Sequence, residues 1–125
     1  TKGLNVIDEN GNEVSYLDVT KEGDKSKSYA YCSDTSFCES IIDTIKGVDL
    51  LYCETTFLQR HQDKAISTFH STTKDAGILA QKAQVKKLLI GHFSSRYDDI
   101  QEFFNETKEF FNDVILSEEG KKIVI

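Results

Sequence analysis

Asp34, Glu54 and His92 each stand directly after a short apolar run: SYAYCS, VDLLYC and KKLLIG. If those runs are parallel strands, all three side chains lie at carboxyl ends of one sheet, where open α/β sheets place ligands. Asp and His are ordinary ligands for a borderline cation such as Zn2+. His70 precedes Ser71 and Thr72, which can start a helix, and a helix N-terminus attracts anions. Each residue also has a structural use. Asp34 can cap a helix, Glu54 can be a satisfied loop carboxylate, and His92 can serve packing alone. His61, beside Arg60, reads as solvated. The set is also short of a metal site. A structural zinc takes about four protein ligands and a catalytic one about three. The chain holds three His in total.

The elements that must position these residues follow from apolar periodicity. Residues 1–27 read as a hairpin turning at Glu9-Asn10-Gly11-Asn12, followed by a charged loop over 20–27. From residue 28 onward strand and helix patterns alternate as β-α-β-α-β-α-β-β, so residues 28–125 predict one α/β unit. Strands fall at 28–33, 48–53, 88–90, 114–116 and 122–125. Helices fall near 37–45, capped by Asp34, Thr35 or Ser36, at 71–84 and at 98–112, with a shorter one near 59–69. Right-handed crossovers between sequential parallel strands put the helices on one face. Parallel sheets are normally covered on both faces, so the other face calls for a partner.

Composition narrows the class. The 125 residues are enough for one domain with its own core. With 38% hydrophobic and 29% charged residues, the chain is globular rather than disordered. No apolar run reaches the ~18 residues of a membrane span, and no apolar leader follows Thr1. A net charge of −6 disfavours a broad basic face for nucleic acid, but it leaves room for a small phosphate site. Cys32, Cys38 and Cys53 form no CxxC pair and read as small buried hydrophobes of a reducing cytoplasm. There is no Met, Pro or Trp. The missing Met suits a piece of a longer chain.

Four local strings occur in order: YCSDT (31–35), CETTF (53–57), HSTTKDAG (70–77) and KKLLIGHFSSRY (86–97). Together they resemble the C-terminal half of ribonuclease Z, the tRNA 3′-end endonuclease of the metallo-β-lactamase superfamily. The likeness covers about residues 28–125. It implies the C-terminal half of a four-layer αββα fold, with a mostly parallel sheet and helices on one face. By the same resemblance Asp34 is a bridging zinc ligand and His92 a ligand of one zinc. His70 contacts the scissile phosphate and helps the leaving group, with Glu54 orienting it. Arg96, Ser71 and Thr72 face phosphate or RNA. The physics fits these roles. A carboxylate can bridge two cations, and an Arg fork matches phosphate oxygens.

The departure from the family is large. Its HxHxDH element and a further His ligand belong to the N-terminal half and have no counterpart in this sequence. The resemblance therefore implies two Zn2+ per intact active site, with the metal partial or absent in this piece. It implies precursor tRNA as the partner of the intact enzyme, and a piece that does not cut alone. The half-fold also predicts association through its uncovered sheet face, with a homodimer as the expected form. The alternative reading is a non-catalytic half-fold module acting in association.

Overall fold

The computed structural model describes residues 3–21 and 23–125. Thr1, Lys2 and Glu22, which fall in the expected hairpin and charged loop, lie outside the described residues. A hairpin of β1 (Val6–Ile7) and β2 (Glu13–Val14) opens the chain, followed by α1 (Tyr16–Val19). Its turn is set by Asp8, whose carboxylate accepts the backbone N–H groups of Asn10 and Asn12. Gly11 supplies the positive φ there.

The main sheet is built from β3 (Tyr29–Cys32), β4 (Leu50–Glu54), β5 (Lys87–Gly91) and β6 (Val114–Leu116). All pairs are parallel and the spatial order is the chain order. Between the strands lie α2 (Ile42–Ile45), α3 (Gln62–Ser67), α4 (Thr73–Lys82) and α5 (Gln101–Lys108). One sheet face, with Leu51, Cys53, Leu88 and Ile90, joins Ala76, Leu79, Ala80 and Phe103 in one core. Fully burying a Leu, Ile or Phe side chain contributes ~1.5–3 kcal/mol, so this seam stabilises most of the fold. Across the opposite face, register aligns Tyr31, Tyr52, Leu89 and Ile115 in one row. Tyr31 and Tyr52 stack with centroids 4.6 Å apart, yet Tyr31 keeps 64% of its surface exposed.

Three expectations change. The strand over 122–125 does not form. The chain turns at Glu119–Gly120 and continues irregularly, with Val124 78% exposed. Without an apolar face to bury, those residues gain little from pairing. The helix expected over 37–45 is reduced to a 3-10 turn (Glu39–Ile41) running into α2. None of Asp34, Thr35 and Ser36 caps it: the turn begins after Cys38, which makes no side-chain cap bond, while the backbone of Thr35 is held away by its N–H donated to Glu54 and its carbonyl accepting the Ser71 hydroxyl. These tertiary bonds outcompete local capping. His61 is not simply solvated. Its Nδ1 lies 2.6 Å from the Tyr97 hydroxyl, which also accepts the Leu58 N–H.

Candidate metal centre

The carboxyl ends of β3, β4 and β5 converge as strand-end placement requires. Glu54 is the last residue of β4, not a loop residue, and its side chain is fully buried. Its four acceptor contacts account for that burial. Oε1 accepts Thr35 N–H at 3.1 Å and faces His70 Nδ1 at 2.8 Å. Oε2 accepts the Thr56 N–H at 3.2 Å and the Thr56 hydroxyl at 2.5 Å. A buried carboxylate so furnished is a stable acceptor hub.

Neighbouring loops are tied to the hub by backbone bonds. Thr55 N–H donates to Gly91 O at 2.8 Å, and Ser94 N–H to Thr56 O at 3.1 Å, joining the loops after β4 and β5. Phe57 and Thr72 form a parallel bridge, which sets the segment after α3 beside the stretch that follows β4. His70 is delivered by the end of α3. Phe69 takes φ 58, Phe69 N–H bonds Ile66 O, and His70 N–H bonds Ala65 O at 2.9 Å. This is the Schellman ending, with Phe where Gly is usual. Asp34 and His92 also adopt left-handed backbone, at φ 48 and 62. Such conformations are uncommon outside Gly and gather at sites that over-determine them.

One ligand-type atom from each of Asp34, His70 and His92 lies within 4.8 Å of the others. His70 and His92 ring centroids are 5.4 Å apart. A carboxylate and two imidazoles form the borderline donor set that suits Zn2+. His70 thus lies within the same 4.8 Å limit of the two expected ligands. The outer ligand atoms reach solvent, with the His70 side chain 24% and the His92 side chain 48% exposed.

The remaining expected residues divide. Arg96 is exposed, and its guanidinium sits 5.5 Å from the Phe57 ring centroid. That ring is in turn 6.2 Å from the His70 ring, so Arg96 flanks the cluster. Ser71 and Thr72 do not face outward. The Ser71 hydroxyl donates to Thr35 O. The buried Thr72 caps α4 through the Asp75 N–H, while Asp75 accepts the Thr72 N–H. Both hydroxyls are consumed in fixing the His70 loop, which leaves neither for a phosphate. Sequence reasoning missed Thr56 and Phe57. Their signal was local: a Thr two residues beyond a strand-end carboxylate can fold back onto it.

No family model matches the chain. The chain is 45% identical over 125 residues to a protein named Ribonuclease Z from Cytophaga hutchinsonii, taking in 99% of this chain and 40% of that protein. It is 43% identical over 124 residues to a Ribonuclease Z from Parabacteroides distasonis, again 99% of this chain and 41% of the relative. The chain therefore spans about 40% of the length of the curated relatives it matches. In structure it is similar to the metallo-β-lactamase fold protein YhfI from Bacillus subtilis. That likeness has TM-score 0.70 and 26% identity, over 77% of this chain and 39% of the other. Human tRNase Z, short form (ELAC1), aligns with TM-score 0.54 and 30% identity, over 67% of this chain and 27% of the other.

Proposed function

We propose that this chain, by its likeness to proteins named Ribonuclease Z, belongs to that family and carries one side of a zinc-dependent endoribonuclease site. The intact protein removes the 3′ trailer from precursor tRNA and leaves a 3′-hydroxyl. The observation that supports this reading is the convergence of Asp34, His70 and His92 ligand atoms around the buried Glu54.

Asp34 and His92 would hold the metal, two Zn2+ ions in the intact site. When bound, such ions polarise phosphoryl oxygens and acidify water. Glu54 occupies His70 Nδ1, so an added proton resides on His70 Nε2. As water oxygen joins phosphorus and the P–O3′ bond breaks, that proton passes to the departing 3′-oxygen. Arg96, held above Phe57, binds a phosphate oxygen of the RNA. The described residues bring three ligand atoms together, fewer than a two-metal site needs. Further ligands of the HxHxDH type come from the other part of the intact protein, and the 125-residue chain alone is inactive.

Cleavage of a 3′-extended precursor tRNA tests this directly. The intact protein should release the trailer, chelation should stop it, and Asp34→Asn should slow it at least a hundredfold. Wild-type rates from the Asp34→Asn protein would sink the reading.

A second reading, a half-fold module acting in association, is favoured by one observation. Tyr29 and Tyr31 stand exposed on the sheet face away from the helices. Exposed apolar patches bind partners; here the patch is confined to β3, because Leu50 and Leu89 on the same face are buried. On this reading the chain forms a homodimer through that face, and Tyr31→Lys should return it to a monomer in sedimentation. A wild-type monomer at high micromolar concentration excludes it.

A further inference from the structure

Glu54 contacts the two histidines differently. His70 Nδ1 reaches the carboxylate directly at 2.8 Å, whereas His92 Nδ1 is 3.9 Å away. Thr56 fills that gap. Its Oγ1 lies 2.5 Å from Glu54 Oε2 and 2.8 Å from His92 Nδ1.

Hydrogen counting decides the direction of this chain. An ionised carboxylate only accepts, so the single hydroxyl proton of Thr56 points to Glu54 Oε2. The hydroxyl oxygen can then only accept from His92. His92 Nδ1 therefore carries its ring proton, and in the neutral ring Nε2 is bare. We propose that Thr56 is a positioning residue that relays Glu54 to His92 and holds His92 in the tautomer whose Nε2 is free to bind a metal ion. One buried carboxylate thereby sets both rings, His70 directly and His92 through a hydroxyl. Partners behind a ligating His commonly change metal affinity 10–100-fold. The metal consequence rests on the zinc reading above, but the tautomer does not.

The experiment uses the metal-free 125-residue chain at pH 8 with 15N-labelled histidine, read by long-range 1H–15N correlation. In the wild type, His92 is expected to show a protonated Nδ1 and an unprotonated Nε2. Thr56→Ser keeps the hydroxyl and should keep that pattern. Thr56→Val keeps the shape and removes the relay, so His92 should shift toward the Nε2–H form. His70 should remain Nδ1–H in all three chains, which also reports that the pocket is folded. Zn2+ titration should show a ten- to hundredfold weaker affinity for Thr56→Val and less than threefold change for Thr56→Ser. An unchanged His92 tautomer in Thr56→Val, or an Nε2–H tautomer in the wild type, overturns the relay. The expected tautomer pattern without zinc uptake by the wild type would support the relay and count against the metal reading alone.

Discussion

Glu54 Oε1 stands 2.8 Å from His70 Nδ1, and the same oxygen accepts the Thr35 N–H. One buried atom thus joins the loops after β3 and after α3 to the end of β4. The hub is a structural and a chemical element at once.

Glu54→Gln should expose that double duty. Each carboxylate oxygen faces one backbone N–H, from Thr35 or from Thr56. Whichever way the amide is turned, its NH2 opposes one of them. Leaving a buried donor unpaired costs about 1–3 kcal/mol. Denaturant midpoints should fall accordingly, with an unchanged slope. A variant as stable as the wild type would show that the hub does not hold the loops.

Metal addition should stabilise the chain by mass action. At 100 times Kd the gain is ~2.7 kcal/mol, visible as a higher melting temperature that chelation reverses. His92→Ala should abolish the shift. His70→Gln separates two uses of that ring: a purely catalytic His70 leaves the shift intact, while a third ligand removes most of it.

The end of α3 offers a stabilising change. Phe69 is 75% exposed and sits at φ 58, a position where a bulky side chain is strained. Phe69→Gly should raise stability by about 0.5–1 kcal/mol, because the relief of strain exceeds the entropy that Gly adds to the unfolded chain. A lower denaturation midpoint would contradict this.

Acid sensitivity should track Asp49. The Lys86 ammonium, and then the Ser28 N–H and hydroxyl, hold its carboxyl well below the ordinary 3.8. A depressed folded pKa means stabilisation that is present above pH 3.8 and lost as pH falls through the lower folded value. Wild-type stability should therefore drop more steeply below pH 4 than that of Asp49→Asn. Parallel curves would remove Asp49 from the account.

The three thiols should react in order. The Ser40 hydroxyl lowers the pKa of Cys38, whereas burial raises those of Cys32 and, further, Cys53. Thiolate is the reactive form. Timed alkylation should label Cys38 first and Cys53 only on unfolding; early labelling of Cys53 would contradict the packed sheet seam.

The strands and the long helices were legible because their signals are local. Leu88, Leu89 and Ile90 announce a buried strand wherever they occur, and Phe103 and Thr107 share one helical face. The cap expected of Asp34 failed because distant partners took the surrounding backbone. The strand over 122–125 failed because its alternation met no buried surface. The Asp34, His70 and His92 ligand types were visible as strand-end and helix-end residues, whereas Thr56 looked like any polar loop residue.

By itself the sequence determined the α/β order, the single-sided helix layer and which residue types reach the carboxyl end of the sheet. Period and chain order are properties of neighbours along the chain, so they survive without coordinates. Only the tertiary structure decided that Glu54 serves both histidines, that Thr56 bridges the longer gap to His92, and that Ser71 turns inward onto Thr35. Those outcomes depend on ångström separations between residues 16 to 36 positions apart. Hydrogen bonds at that range are selected by packing, which no local pattern encodes.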